Sequence, residues 1–140
     1  MSQVTVKSDN MGIRYEKDTI LNWINEMGKF LRLLVDKWEG QMVELDKEGI
    51  DAAYKEFFLK NKFDILQMDE NELIVFASTL EPEQIRPLAQ LLMYDGLVHQ
   101  EKSLLVKAKS LFEYQMKSSG SFSFEDYGFL DQIEKVLKNG

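Results

Sequence analysis

The strongest constraint on this chain is a run of apolar residues near its beginning, set at helical spacing. Ile20, Ile24, Met27, Leu31, Leu34 and Trp38 recur at alternating steps of four and three. Such steps line residues up along one side of an α-helix and on no single face of a β-strand. Leu21, Trp23, Phe30 and Val35 widen the line to roughly half the helix circumference. Asn22, Asn25, Glu26, Lys29, Arg32 and Asp36 fill the other half, and Leu33 is the one large apolar residue among them. The spacing predicts a helix from about Tyr15 to Trp38. A stripe this wide can touch two neighbouring helices, or one neighbour and a second protomer. Trp23, Phe30 and Leu33 are therefore the candidates for self-association. The pattern is too short for a coiled coil, which needs about three or more sustained heptads.

The same period recurs down the chain. Ile50, Ala53, Tyr54, Phe57 and Phe58 predict a second helix over about 50–60, after which Asn61 and Lys62 break the pattern. Asp69, with Glu72 three residues on, reads as a capping box, and Met68 with Leu73 as its hydrophobic staple. Pro82 suits the first position of a further helix, whereas Pro87 must kink that helix or open another. Helices are expected over about 85–98 and 102–116, followed by a linker at Ser118–Ser121. Ser123 caps a last helix, with Phe122 and Tyr127 as a second staple. The expectation is an all-α, compact bundle of about five to six helices. It covers 14–140 as one domain and follows a flexible polar leader over 1–13.

Composition excludes several chemistries. The chain has no cysteine, which removes disulfides, thiolate metal sites and a thiol nucleophile. The polar start lacks the apolar segment of a signal peptide, and Leu33–Val35 and Leu73–Ala77 are too short to span a bilayer. A cytoplasmic protein without membrane contact is expected. The net charge of −7 is unevenly placed, because residues 41–83 hold four basic and eleven acidic side chains while the flanks balance. Nucleic acid calls for a basic patch and is not an expected partner.

Leu92, Gly96, Ala108 and Phe112 carry a resemblance. A small residue, an alanine twelve positions later and an aromatic four beyond that resemble one hairpin of the tetratricopeptide family. His99, Gln115 and Gly120 depart from the family's tyrosine, alanine and proline. The match does not recur, so the resemblance implies one repeat-like hairpin with a capping helix rather than a solenoid. It also implies a groove that binds peptides, here matching Gln90, Met93, Leu97, Gln100 and Glu101. Tyr15, Glu16 and Asp18, with the apolar first helix and this hairpin, resemble a family of small bacterial all-helical proteins to which no activity is assigned.

The remaining candidates concern chemistry. His99 is the single histidine, and Asp95 stands one turn before it as a possible orienter of a histidine base. A hydrogen-bonded interhelical histidine is the plainer reading. No EF-hand pattern, paired Glu-x-x-His unit or phosphate-cradling loop occurs, so no metal and no cofactor are expected. Trp23, Trp38, Phe57, Phe58, Phe63, Phe76 and Phe112 are expected in the core, with a ligand pocket as the alternative. The leading expectation is a non-enzymatic adaptor that binds another protein or its own copy. One alternative is an acidic inhibitor or immunity-type protein that covers a basic partner with residues 41–83. A small-ligand binder or enzyme around His99 is the other.

Overall fold

Seven helices and no strand form among the described residues of the computed structural model, which are 17–39, 47–120 and 123–139. They are α1 (Lys17–Glu39), α2 (Lys47–Phe58), α3 (Lys62–Gln67), α4 (Glu70–Ser78), α5 (Pro82–His99), α6 (Lys102–Ser119) and α7 (Phe124–Asn139). The expected leader, Tyr15 and Glu16 of the opening motif, and Phe122 of the second staple lie outside the described residues.

Three of the helix starts have a local cause. The Asp69 carboxylate accepts the Glu72 N–H at 2.7 Å, and the Glu72 carboxylate accepts the Asp69 N–H at 2.9 Å, which completes the expected capping box of α4. Leu73 of the expected staple is buried, and Met68 packs against the same apolar cluster. Ser123 Oγ accepts the Asp126 N–H at 3.0 Å and caps α7. Pro82 opens α5, where its missing N–H costs nothing, and the Gln84 side chain accepts the Glu81 N–H at 2.9 Å.

Two expectations are corrected. Pro87 does not open another helix, since α5 runs through it to His99. It is the sixth residue of α5, and its ring removes one backbone bond of that helix. The stretch after Asn61 is also not a simple break. It folds as α3, whose six residues bury only Ile65 and so show no period to read.

Three ends turn in the left-handed region. Gly120 (φ 67°) closes α6 at no steric cost, whereas Leu59 (φ 59°) and Gln100 (φ 57°) adopt it with side chains.

One apolar cluster joins all seven helices, from Trp23, Met27 and Leu34 of α1 to Ile133 of α7. α5 lies at its centre and packs against α1, α2 and α6. Its most extensive partner is α6, which it meets after the two-residue connection Gln100–Glu101. Gly96 permits that approach. A Cβ there would stand 2.9 Å from Leu105 Cδ2 and 3.1 Å from the Glu101 carbonyl oxygen. Ala108 and Phe112, fully buried, fill the rest of the contact.

Candidate functional site

α5 carries a charge into the apolar core. Asp95 has no exposed surface, and an unpaired carboxylate in such a place is costly. Three elements supply its partners. The Tyr54 hydroxyl of α2 donates to Asp95 Oδ2 at 2.6 Å. His99 Nδ1, one turn further along α5, lies 2.6 Å from Asp95 Oδ1. Lys62, the first residue of α3, places Nζ 3.1 Å from the same carboxylate. Nζ also donates to Asp51 Oδ1 of α2 at 2.7 Å.

The helix period explains why these groups meet. Asp51 and Tyr54 are three apart on α2, and Asp95 and His99 four apart on α5, so each pair shares one face. The faces meet because α2 packs on α5. Burial pushes the Tyr54 phenol well above its usual range, and the charge and hydrogen bond of Asp95 push it further. For Lys62, burial favours the neutral amine, but its bonds to Asp51 and Asp95 outweigh this and raise its pKa.

The cluster thus contains two carboxylates, an ammonium, a phenol and an imidazole. Donor atoms of Asp51, Asp95 and His99 lie within 4.8 Å of one another. The sequence marked only Asp95 and His99. Tyr54 falls on the apolar face of the second predicted helix and Lys62 at its break, and Asp51 carries no assignment. Their positions along the chain carry no spacing signal, because the set comes from three elements. The expected interhelical bond of His99 is not what forms: its Nδ1 bonds to Asp95 within its own helix, and Asp95 itself makes the links to α2 and α3.

A second feature is a groove of about 410 Å³ where the ends of α1, α5 and α7 meet the start of α6. Trp38, Leu97, Leu105 and Val136 form its apolar part, and Gln100 and Lys102 are among its polar residues. Of the five positions expected to bind a partner, Leu97 and Gln100 line this groove. Glu101 is exposed, Gln90 half-buried and Met93 fully buried. The five do not share one open face, because α1, α2 and α6 all pack on α5.

The expected self-association residues also separate. Trp23 is buried, donates Nε1–H to the Phe57 carbonyl at 2.8 Å and stands edge-on to Phe57 and Phe58. Phe30 packs half-buried against Phe57, and only Leu33 is open to solvent. Among the seven core aromatics expected, Phe63 is instead 68% exposed on α3.

The acids of 41–83 are partly engaged inside the molecule. Asp51 pairs with Lys62, Asp69 and Glu72 cap α4, and Glu70 accepts from Ser110 at 2.8 Å. No described helix is long and apolar enough to cross a membrane.

Comparisons with protein-family models, with curated proteins and with solved structures return no match to this chain.

Proposed function

We propose that the chain is a non-enzymatic helical interaction module that holds a segment of another protein in the groove between Trp38, Leu97, Leu105 and Val136. The observation that carries this reading is the groove itself. Its volume of about 410 Å³ falls in the range of sites that enclose ligands, about 300–1,000 Å³. Its apolar lining calls for an aliphatic or aromatic side chain. Gln100 and Lys102 beside it call for an acceptor, a backbone carbonyl or a carboxylate, on the same partner segment. Leu97 and Gln100 are also positions that the tetratricopeptide-like reading of the sequence marks for a peptide.

Site-specific photo-cross-linking in the native cell tests this. A photoreactive amino acid at Gln100, exposed at the groove, is expected to capture a discrete protein adduct. The same group at Lys55, exposed on α2, is expected not to capture it. Equal capture at both positions, or none at Gln100, sinks the reading. An adduct of twice the chain mass identifies the partner as a second copy.

A further inference from the structure

We infer that Asp51, Asp95 and His99 form a divalent metal-ion site whose cation position is held by the Lys62 ammonium. This is independent of the groove and of any partner bound there.

The donor set suits a first-row metal. Two carboxylate oxygens and one imidazole nitrogen are ligands that zinc, manganese, cobalt and nickel accept. Around such an ion, with bonds of about 2.1 Å, neighbouring donors stand roughly 3–4 Å apart. Here all three donor atoms lie within 4.8 Å of one another, and binding would part His99 Nδ1 from Asp95 Oδ1, now 2.6 Å apart, to admit the ion between them.

The set is also held in place. Asp95 is fully buried, and the Tyr54 hydroxyl fixes its Oδ2 at 2.6 Å. Such an outer partner orients a metal-binding carboxylate and sharpens its affinity. On the other side, the Asp51 side chain is 47% exposed and that of His99 20%. An ion has a way in, and solvent can complete its coordination.

Lys62 marks where a cation sits. Its Nζ stands 2.7 Å from Asp51 and 3.1 Å from Asp95, between the two carboxylates a metal would use. Its side chain is 17% exposed, at the start of a six-residue helix, so its long stem can carry the ammonium out to water. The exchange trades a monocation for a dication. Coordination through His99 Nδ1 requires the tautomer with its proton on Nε2, and the bond from Nδ1 to Asp95 gives way to a shared ion. The lysine is thus a competitor built into the site, and metal affinity is set by how readily it leaves.

The test is zinc titration of the full chain against a chelating dye. Lys62→Met is expected to bind one equivalent of zinc about tenfold or more tighter than the unaltered protein. Adding His99→Asn to that variant is expected to weaken binding by about tenfold or more, in line with the 10–100-fold effects typical around metal sites. Lys62→Gln, which keeps a polar stem without the charge, serves if Lys62→Met does not fold.

Because His99 is the only histidine, its imidazole nitrogen resonances report coordination directly. In the unaltered protein, millimolar zinc is expected to shift the Nδ1 signal. Unchanged affinity on neutralising Lys62, or an unmoved Nδ1 signal at saturating zinc, overturns the assignment and leaves Lys62 as a purely structural partner of two acids.

Discussion

Replacing Gly96 by alanine should destabilise this protein, against the usual effect of that change in a helix. A glycine inside a helix ordinarily costs about 0.8–1 kcal/mol relative to alanine. At Gly96 the added methyl meets Leu105 Cδ2 at 2.9 Å, Leu105 Cγ at 3.0 Å and the Glu101 carbonyl oxygen at 3.1 Å. Leu105 is itself buried in the core, so displacing it disturbs the packing of α5 on α6, and the carbonyl belongs to the two-residue turn. Forcing a methyl into such a contact costs about 1–3 kcal/mol, which outweighs what alanine gains in helix propensity. The net expectation is a loss of about 1 kcal/mol. Urea unfolding followed by circular dichroism reads this as a midpoint lowered by about half a molar, at an m-value of about 2 kcal/mol/M.

Gly28 and Gly128 supply the internal comparison. Both are helical, and a Cβ at either meets nothing within 4 Å, so alanine at either should stabilise by about 0.5–1 kcal/mol. If Gly96→Ala matches or exceeds the stability of the unaltered chain, the close approach of α5 and α6 is not what sets the residue at that position.

Three further outcomes are expected. Burial first, then the charge and hydrogen bond of Asp95, keep the Tyr54 phenol neutral well above its usual range. Its contribution to stability is therefore complete below the unfolded-chain value of about 10 and is lost as pH climbs toward the folded value. Tyrosinate absorbance should show Tyr54 ionising only well above the usual tyrosine range. Tyr54→Phe should cost about 1–3 kcal/mol by depriving a buried carboxylate of a donor, and no loss on denaturant unfolding refutes this. Arg86 of α5 donates to Asp126 and Glu125 at the start of α7 and lies 5.7 Å from the centre of the Phe129 ring. Arg86→Lys should lose about 1 kcal/mol and speed amide exchange in α7 above all, because a lysine lacks the planar fork that here gives Nε–H to Asp126 and a terminal N–H to Glu125. Uniform exchange rates across the helices count against it. Leu59→Gly should stabilise by about 0.5–1 kcal/mol, since the residue is 58% exposed at φ 59° and a side chain there carries strain. A lowered unfolding midpoint rejects that account.

Much of the fold is legible in the sequence wherever one helix repeats its pattern long enough. The stripe from Ile20 to Trp38 placed α1, and Asp69 with Glu72 placed the start of α4 through bonds between near neighbours. α3 is silent because one buried isoleucine in six residues makes no pattern. Legibility fails in the same way at the site. Asp95 and His99 share a helix and can be paired by counting, whereas Tyr54 is 41 residues from Asp95 and Lys62 is 33. Only the packing of α2 and α3 on α5 brings them together. Met93 and Trp23 show the converse: a wide apolar stripe names faces that could be covered, and burial then follows from how many neighbours cover them.

The two-residue connection between α5 and α6 has a kinetic side. Contacts between helices this close in the chain form after a short and entropically cheap closure. α1 instead reaches its partner Phe57 across 34 residues and docks further still along the chain on α5. The α5–α6 hairpin is expected to be structured when the chain crosses its folding barrier, with α1 arriving afterwards. Substitutions at Ala108 or Phe112 should then slow folding, whereas those at Met27 or Leu34 should chiefly speed unfolding. Chevron plots showing the reverse would place the nucleus elsewhere. On this order, the core face of α5 that α1 later covers stays wet until the last step.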